Sequence, residues 1–124
     1  MKVLDTSAWI EYFKGSKKGE IISKIIENTQ VYTNIISLAE IAKWFSQNNE
    51  NIEFFIDQIK TNSIIMELHE NILIESGKAY VNLRKIKNKI SLIDVIIYTS
   101  ATINSLELIS TDKDFEGLPS SLII

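Results

Sequence analysis

Short runs of β-branched and apolar residues alternate with stretches of helical periodicity along this chain of 124 residues. The runs comprise Val3-Leu4 and residues 31–33, 63–66, 106–110 and 122–124. Because parallel strands need long crossover connections, strands separated by helices predict a mainly parallel five-stranded sheet with helices on both of its faces. The alternation therefore favours an α/β fold of three layers, α/β/α.

Apolar residues between these runs recur at three- and four-residue spacing, which is typical of amphipathic helices. This spacing predicts helices around residues 21–26, 38–45, 52–59 and 72–86. Residues 92–103 are apolar on nearly every side, so we expect a buried helix there. Gly15 and Gly77 are candidate breaks, and Gly117 with Pro119 is expected to turn the chain into its last strand.

The composition, with 45% hydrophobic and 23% charged residues, is that of an ordinary globular protein, and the length fits one domain, residues 1–124. The absence of cysteine excludes a disulfide framework and a thiolate metal site. No apolar segment approaches the roughly 20 residues that span a bilayer, and the amino terminus does not resemble a signal peptide. We therefore expect a cytoplasmic protein with no membrane partner. The net charge of −3 argues against a wholly basic nucleic-acid surface but allows local basic patches.

Four acidic residues occupy equivalent places relative to the predicted strands. Asp5 directly follows the first strand, Glu40 lies shortly after the second, and Asp112 follows the fourth. Asp94 opens the helix that runs back toward the start of the fourth strand. Because ligands of open parallel sheets bind outside the carboxyl ends of the strands, we expect these acids to share one rim of the sheet.

Helix capping and turn formation explain each of these acids at least as well when it is considered alone. Residues 37–40 and 91–94 both begin with serine and end with an acid, which is the capping-box pattern. Asp5 is suited to cap the first helix, and Asp112 to a solvated turn. Capping does not exclude metal binding, since an acid that opens a helix can still face an ion.

The four acids together need a compensating charge. At ~4 Å, each pair of carboxylates costs about 1 kcal/mol in water and several-fold more near a protein surface. Within these motifs the only basic residue is Lys113, and the single histidine, His69, follows the third strand alone and is better explained as a cap or surface group. A hard divalent cation, Mg²⁺ or Mn²⁺, prefers carboxylate oxygens and would compensate them. Because the acids have no serine or cysteine nucleophile paired with a histidine base, the pattern favours metal-assisted hydrolysis of a phosphate ester.

Two other α/β classes that use acids after strands fit the sequence poorly. A phosphatase of the haloacid dehalogenase type needs a second aspartate two residues after the first, where this chain has Ser7. A response-regulator receiver needs an aspartate after the third strand and a lysine after the last. Here the third strand leads into Glu67-Leu68-His69, and the sequence stops at Ile124.

The four acidic motifs, taken in order, resemble those of PIN-domain ribonucleases of the VapC toxin type. They are Val3-Leu4-Asp5-Thr6-Ser7, Leu38-Ala39-Glu40-Ile41, Leu92-Ile93-Asp94 and Ser110-Thr111-Asp112-Lys113-Asp114-Phe115. The resemblance implies a sheet of order 3-2-1-4-5 and an endoribonuclease that uses Mg²⁺ or Mn²⁺, the toxin of a type II toxin–antitoxin pair. It also allows an RNA-processing nuclease outside such a pair, or a non-catalytic binding module of the same fold. Retention of all four acids argues against the last.

The resemblance also implies roles for single residues. Asp5, Asp94 and Asp112 would hold the metal, and Glu40 would bind it directly, bind it through water or orient the attacking water. The small hydroxyl residues beside the acids are Thr6, Ser7 and Thr111, of which Thr111 would fix the orientation of a carboxylate. Asp114 is an optional fifth acid, and a solvent-exposed turn residue explains it equally well.

Basic and aromatic residues suggest surfaces for partners. Four cations, Arg84, Lys85, Lys87 and Lys89, precede the Asp94 helix and are candidates to contact RNA phosphates, although a solvated helix end explains them equally well. Five aromatic residues of the first and third helices cannot all face inward easily: Trp9, Tyr12, Phe13, Trp44 and Phe45. The resemblance implies that grooves near these helices receive an antitoxin segment and that the domains pair as homodimers.

Overall fold

Five strands form one parallel sheet in the computed structural model, which describes residues 1–124. The strands are β1 (Lys2–Leu4), β2 (Val31–Asn34), β3 (Ile64–Met66), β4 (Glu107–Ser110) and β5 (Ser121–Ile123). Their order is β3-β2-β1-β4-β5, and every adjacent pair is parallel. The predicted five-stranded sheet and the strand order implied by the resemblance are therefore confirmed.

Six α-helices connect the strands, and each predicted helix is present, although the one predicted around residues 72–86 ends at Leu83. They are α1 (Thr6–Lys14), α2 (Lys17–Asn28), α3 (Ser37–Gln47), α4 (Ile52–Asn62), α5 (Glu70–Leu83) and α6 (Leu92–Ile103), and a 3₁₀ turn covers Lys113–Phe115. Gly15 ends α1 in the left-handed conformation, with φ of 66°, as expected of a break. Gly77 lies inside α5, so the break predicted there is wrong, because the 14-residue helix continues through it. None of these helices is long and apolar enough to cross a membrane.

Two hydrophobic cores, each of nine buried residues, lie on opposite faces of the sheet. Val3 and Leu108 pack in the core that includes the buried side of α6, and their neighbours Leu4 and Ile109 pack in the core that includes α1 and α3. This alternation follows from the strand geometry, in which successive side chains point to opposite faces. The three-layer prediction is confirmed.

The helix α6 is buried through most of its length, as its sequence predicts. Six of its residues are buried, and only its ends, such as Leu92 and Ile103, are largely exposed. Its first residues lie at the carboxyl edge of the sheet, because the helix leads back to the amino end of β4. Asp94 is thereby placed at the same edge as the residue that follows β1.

Close packing of α1 against α2 fixes the helix that follows Asp5. Gly19 of α2 lies so near α1 that an added Cβ would be 2.1 Å from the carbonyl oxygen of Glu11. Trp9 of α1 is fully buried, and its indole nitrogen donates to Thr33 Oγ1 at 3.0 Å. These contacts tie α1 to both the neighbouring helix and the sheet.

The aromatic residues of α1, α3 and α4 form a cluster that runs from the core to the surface. Phe13 contacts Phe45 and Phe55, with ring centroids 5.7 and 4.9 Å apart, and Phe45 stacks on Phe55 at 3.9 Å. Trp9 and Phe45 are buried, whereas Phe54 at the edge of the cluster is 54% exposed. Of the five aromatic residues singled out from the sequence, Trp9 and Phe45 are buried, and the other three pack partly buried against the same core: Tyr12, Phe13 and Trp44.

Candidate active site

A cleft of about 160 Å³ opens at the carboxyl edge of the sheet, beside β1, α3 and α6. Its lining consists of the four acids singled out from the sequence, two hydroxyl residues and two isoleucines: Asp5, Glu40, Asp94, Asp112, Thr6, Ser7, Ile10 and Ile97. The structure thus brings the four acids together at one rim.

Asp5 is a buried acid that is hydrogen-bonded through both of its oxygens. It precedes α1 as the capping residue, so that Oδ1 accepts from the Ala8 backbone at 2.9 Å and from Ser7 Oγ at 2.7 Å. Oδ2 accepts from Ser110 Oγ at 2.6 Å. Burial raises the pKa of Asp5 from 3.8 to about 6, because desolvation of the carboxylate outweighs these hydrogen bonds.

Ser110, which the sequence analysis did not assign to the site, holds two of the acidic segments together. It is fully buried at the end of β4, donates to Asp5 and accepts from the Asp112 backbone at 2.9 Å. Of the three hydroxyl residues predicted beside the acids, Thr6 donates to Glu40 and Ser7 donates to Asp5, whereas the Thr111 side chain makes no hydrogen bond to an acid. Only its backbone N–H takes part, donating to Ser7 Oγ at 3.0 Å.

The strand register explains why Ser110 contacts Asp5. Leu4 of β1 is paired with Ile109 of β4, so the residues that follow them lie side by side and point to the same face of the sheet. No local pattern reports this pairing, because the two residues are 105 positions apart. The only feature of the sequence that could have indicated Ser110 is that it is a small hydroxyl residue at the end of a predicted strand.

Glu40 lies in the first turn of α3 and is held by a residue of α1. Thr6 Oγ1 donates to Glu40 Oε1 at 2.6 Å. The cap predicted at Ser37 is wrong, because the helix begins at Ser37 and the serine Oγ is buried without a partner. Asn34 orders this turn instead, since its Oδ1 accepts from the Ile36 backbone at 3.1 Å.

Asp94 caps its own helix and still faces the cleft. It forms a capping box with Ser91: Ser91 Oγ accepts from the Asp94 backbone at 3.1 Å, and Asp94 Oδ2 accepts from the Ser91 backbone at 3.3 Å. Burial raises the pKa of Asp94, and the negative charges of Asp112 and Glu40 raise it further. The capping box predicted at residues 91–94 is therefore present.

Three acids lie close enough to share one ion. Asp94, Asp112 and Asp114 each contribute a carboxylate oxygen, and these oxygens all lie within 4.8 Å of one another. Asp112 Oδ1 also accepts from the Asp114 backbone at 2.9 Å, which fixes the 3₁₀ turn between them. The salt bridges of the structure join Lys2 to Glu107, Lys14 to Glu11 and Lys78 to Glu75, so no cation of the chain pairs with an acid of the cleft. An uncompensated set of oxygen donors fits a hard divalent cation.

The remaining candidate residues lie outside the cleft. His69 is exposed at the start of α5 and makes no capping bond. Arg84 ends α5, where its guanidinium donates to Tyr80 OH and lies 5.4 Å from the centre of that ring. Lys85, Lys87 and Lys89 follow in the segment between α5 and α6, and none of them forms a salt bridge.

A family sequence profile described as PIN domain matches residues 2–120. The chain belongs to the PIN-domain family. No curated protein sequence matches the chain. The motifs that carried the resemblance, from Val3 to Phe115, all fall inside the matched residues of this PIN domain.

Solved structures of low sequence identity share the fold of this PIN domain. A toxin–antitoxin complex from Klebsiella pneumoniae is 24% identical with a TM-score of 0.75, covering 98% of this chain and 96% of that chain. VapBC2 from Rickettsia felis, bound to a DNA fragment from its promoter, is 16% identical with a TM-score of 0.77, covering 99% and 96%. Mycobacterium tuberculosis VapC20, a toxin that cleaves the sarcin–ricin loop, is 13% identical with a TM-score of 0.77, covering 96% and 95%.

Proposed function

We propose that the whole chain, residues 1–124, is one PIN domain that acts as an endoribonuclease dependent on Mg²⁺ or Mn²⁺. The observation that carries the proposal is the convergence of four acids on one cleft with no cation of the chain to balance them. Such a site suits phosphodiester hydrolysis, in which a bound divalent ion lowers the pKa of water and stabilises the leaving oxygen. We also propose that the protein acts in the cytoplasm.

Asp5, Asp94 and Asp112 are the proposed metal-holding acids, with Asp114 as a further ligand and Glu40 as a ligand or as the group that orients water. The proximity of Asp94, Asp112 and Asp114 supports this assignment of ligands. Ser7 and Ser110 orient both oxygens of Asp5, and Ser91 orients Asp94. Preorganised ligands of this kind keep the acids in place before an ion arrives.

The toxin of a type II toxin–antitoxin pair is the biological role that we propose. Its support is the likeness of the fold to toxin–antitoxin complexes, and to a toxin that cleaves the sarcin–ricin loop. The aromatic cluster that reaches the surface at Phe54 is the proposed neighbourhood for an antitoxin segment. The alternative is an RNA-processing nuclease outside such a pair. A neighbouring gene that encodes a DNA-binding antitoxin, whose protein product co-purifies with this chain, would favour the toxin role.

We also propose a homodimer, as the resemblance implies. Exposed apolar side chains on α5 support a self-associating surface: Leu73, Ile74 and Val81 are 45%, 52% and 62% exposed. The mass of the protein in solution, measured by light scattering after size exclusion, tests this. A monomer at all concentrations would contradict it.

RNA phosphates are the proposed partners of the basic run that begins at Arg84. Lys85, Lys87 and Lys89 have no acidic partner and stand just before the helix that carries Asp94. Arg84 belongs to the same run, and its contact with Tyr80 orders the end of α5. For single strands, each lysine that contacts a phosphate steepens the slope of log binding constant against log salt concentration by about 0.7. Charge reversal should therefore weaken binding and lower the salt slope, and an unchanged slope would contradict the proposal.

Cleavage of RNA in the presence of Mg²⁺ or Mn²⁺ is the experiment that tests the activity. The wild type is compared with Asp5→Asn and Asp94→Asn, which keep the size of the side chains and remove their charge. We expect both variants to lose cleavage. Equal activity in all three proteins would overturn the proposed mechanism.

A further inference from the structure

Glu40 differs from the other acids of the cleft in the way it is held. Asp5, Asp94 and Asp112 each accept a backbone N–H at the start of a helix or turn. Glu40 accepts no backbone hydrogen bond, and the only side chain that donates to it is that of Thr6. Its orientation therefore depends on one hydroxyl group of another helix.

Glu40 also stands apart from the acids that lie closest together. The oxygens within 4.8 Å of one another belong to Asp94, Asp112 and Asp114. Glu40 lines the same cleft from α3, near enough for its charge to raise the pKa of Asp94. Asp5 also lies outside this group of three, but it accepts a backbone hydrogen bond, whereas Glu40 accepts none.

We infer that Thr6 is a positioning residue, and that it holds Glu40 to act on the attacking water instead of binding the metal. The inference rests on the proposed nuclease function. A threonine hydroxyl has one hydrogen to donate, and Thr6 uses it on Glu40 Oε1 at 2.6 Å. Oε2 is then the oxygen left free to accept a proton in the cleft.

The step assigned to Glu40 is the removal of a proton from water. A bond forms between the water oxygen and phosphorus, and the bond from phosphorus to the leaving ribose oxygen breaks. The proton of the water passes to Glu40 Oε2, and the leaving oxygen takes a proton from solvent. Thr6 donates to Oε1 throughout, so that the carboxylate keeps its orientation while Oε2 changes protonation.

The position of Thr6 suits this role. It follows Asp5 directly and lies in the first turn of α1, a helix fixed by the buried Trp9. Its branched β-carbon restricts the side chain to few rotamers, which limits where the hydroxyl can point. Valine has the same shape without the donor, and serine keeps the donor without the branch.

The test compares Thr6→Val, Thr6→Ser and Glu40→Gln in two measurements. One is the affinity of the RNA-free protein for Mn²⁺, and the other is the single-turnover rate of RNA cleavage at saturating Mn²⁺. We expect Thr6→Val to slow cleavage about 10-fold or more, as loss of one hydrogen bond to a charged group implies, with Mn²⁺ affinity within about 2-fold of wild type. Thr6→Ser should restore most of the rate. Thr6→Val combined with Glu40→Gln should be no slower than Glu40→Gln alone.

Thr61→Val is the matched control, because Thr61 donates only to the backbone of its own helix α4. We expect it to change neither measurement. Mn²⁺ affinity that falls in Thr6→Val or Glu40→Gln as far as it does in Asp94→Asn would overturn the inference, since Glu40 would then be a metal ligand. An unchanged rate in Thr6→Val would also overturn it.

Folding and the proposed function can be separated from this result. If Thr6→Val does not fold in a thermal melt, Glu40→Gln alone decides: cleavage lost with Mn²⁺ affinity kept supports the inference, and affinity lost overturns it. If the wild type cleaves RNA but the Thr6 variants match it, only the inference fails. If the folded wild type cleaves no RNA with Mn²⁺, the proposed function and the inference fail together.

Discussion

At the residue scale, Asp5 has to meet two opposing requirements. It caps α1 and so must accept backbone hydrogen bonds, yet it is only 4% exposed and is charged at neutral pH. Three hydrogen bonds lower the energy of its carboxylate, but burial dominates and holds its pKa at about 6. A bound cation would relieve this conflict, which links the stability of the fold to the occupancy of the site.

The stability of the metal-free protein should therefore depend on the protonation of Asp5. Because its folded-state pKa of about 6 lies above the unfolded value of 3.8, the folded state binds the proton more tightly. The resulting stabilisation is complete below the unfolded value and is lost as pH rises through about 6. We expect Asp5→Asn to remove a pH-dependent loss on the order of 3 kcal/mol. Urea unfolding with a chelator, at pH values across this window, measures it. The same pH dependence in wild type and variant would contradict the raised pKa.

Ser110 and Thr111 provide a second prediction at this scale, since only one of the two hydroxyls contacts an acid. Ser110→Ala removes the donor to Asp5 Oδ2 and should destabilise the metal-free protein at neutral pH by about 1–3 kcal/mol. Thr111→Val, which removes a hydroxyl without such a contact, should change stability by less than about 0.5 kcal/mol. Chemical denaturation of both variants decides between them. A larger loss in Thr111→Val would show that the sequence-based choice of Thr111 was the better one.

At the element scale, the contact of α1 with α2 controls how Asp5, Thr6 and Ser7 reach the cleft. Gly19→Ala would place a methyl group 2.1 Å from a backbone oxygen, so the helices have to move apart. We expect a loss of about 1–3 kcal/mol, together with weaker metal binding. Gly77→Ala is the control: Gly77 lies within α5 with nothing near its added Cβ, and alanine should stabilise the helix by up to about 1 kcal/mol. Thermal melts that rank the two variants in the opposite order would contradict this packing.

The elements themselves were largely predictable, because hydrophobic periodicity is a local property of the sequence. The capping box predicted at residues 91–94 is present, since Ser91 is exposed and Asp94 is only partly buried, so both can bond to the start of their own helix. The same pattern at residues 37–40 predicted a cap at Ser37 that is not formed. Ser37 is fully buried, and Asn34 orders that turn in its place. A local pattern does not report which side of a helix start becomes buried.

The site was predictable in part for a related reason. The four acids follow strands of a parallel sheet, and the sheet rule places them at one edge without knowledge of the strand order. The contact of Ser110 with Asp5 depends on the register of β1 against β4, and that of Thr6 with Glu40 on how α1 packs against α3. Both arise from long-range packing, which no short motif of the chain encodes.

At the scale of the whole molecule, the parallel sheet gathers acids from distant parts of the chain and leaves their charge unbalanced. The two cores hold the strands in register from both faces, so the acids cannot move apart to reduce their repulsion. Ligand binding to the folded state alone stabilises that state. A divalent ion should therefore stabilise the fold and permit the reaction through the same carboxylates.

A single Mn²⁺ titration followed by both thermal stability and RNA cleavage tests this claim most directly. Wild type, Asp94→Asn and the exposed control Asp57→Asn are titrated after removal of metal with a chelator. We predict that the melting temperature and the cleavage rate of the wild type and Asp57→Asn rise together over the same range of Mn²⁺ concentration, and that Asp94→Asn shows neither rise. Cleavage by the wild type that persists in chelator, or a titration that is the same in Asp94→Asn, would contradict the account.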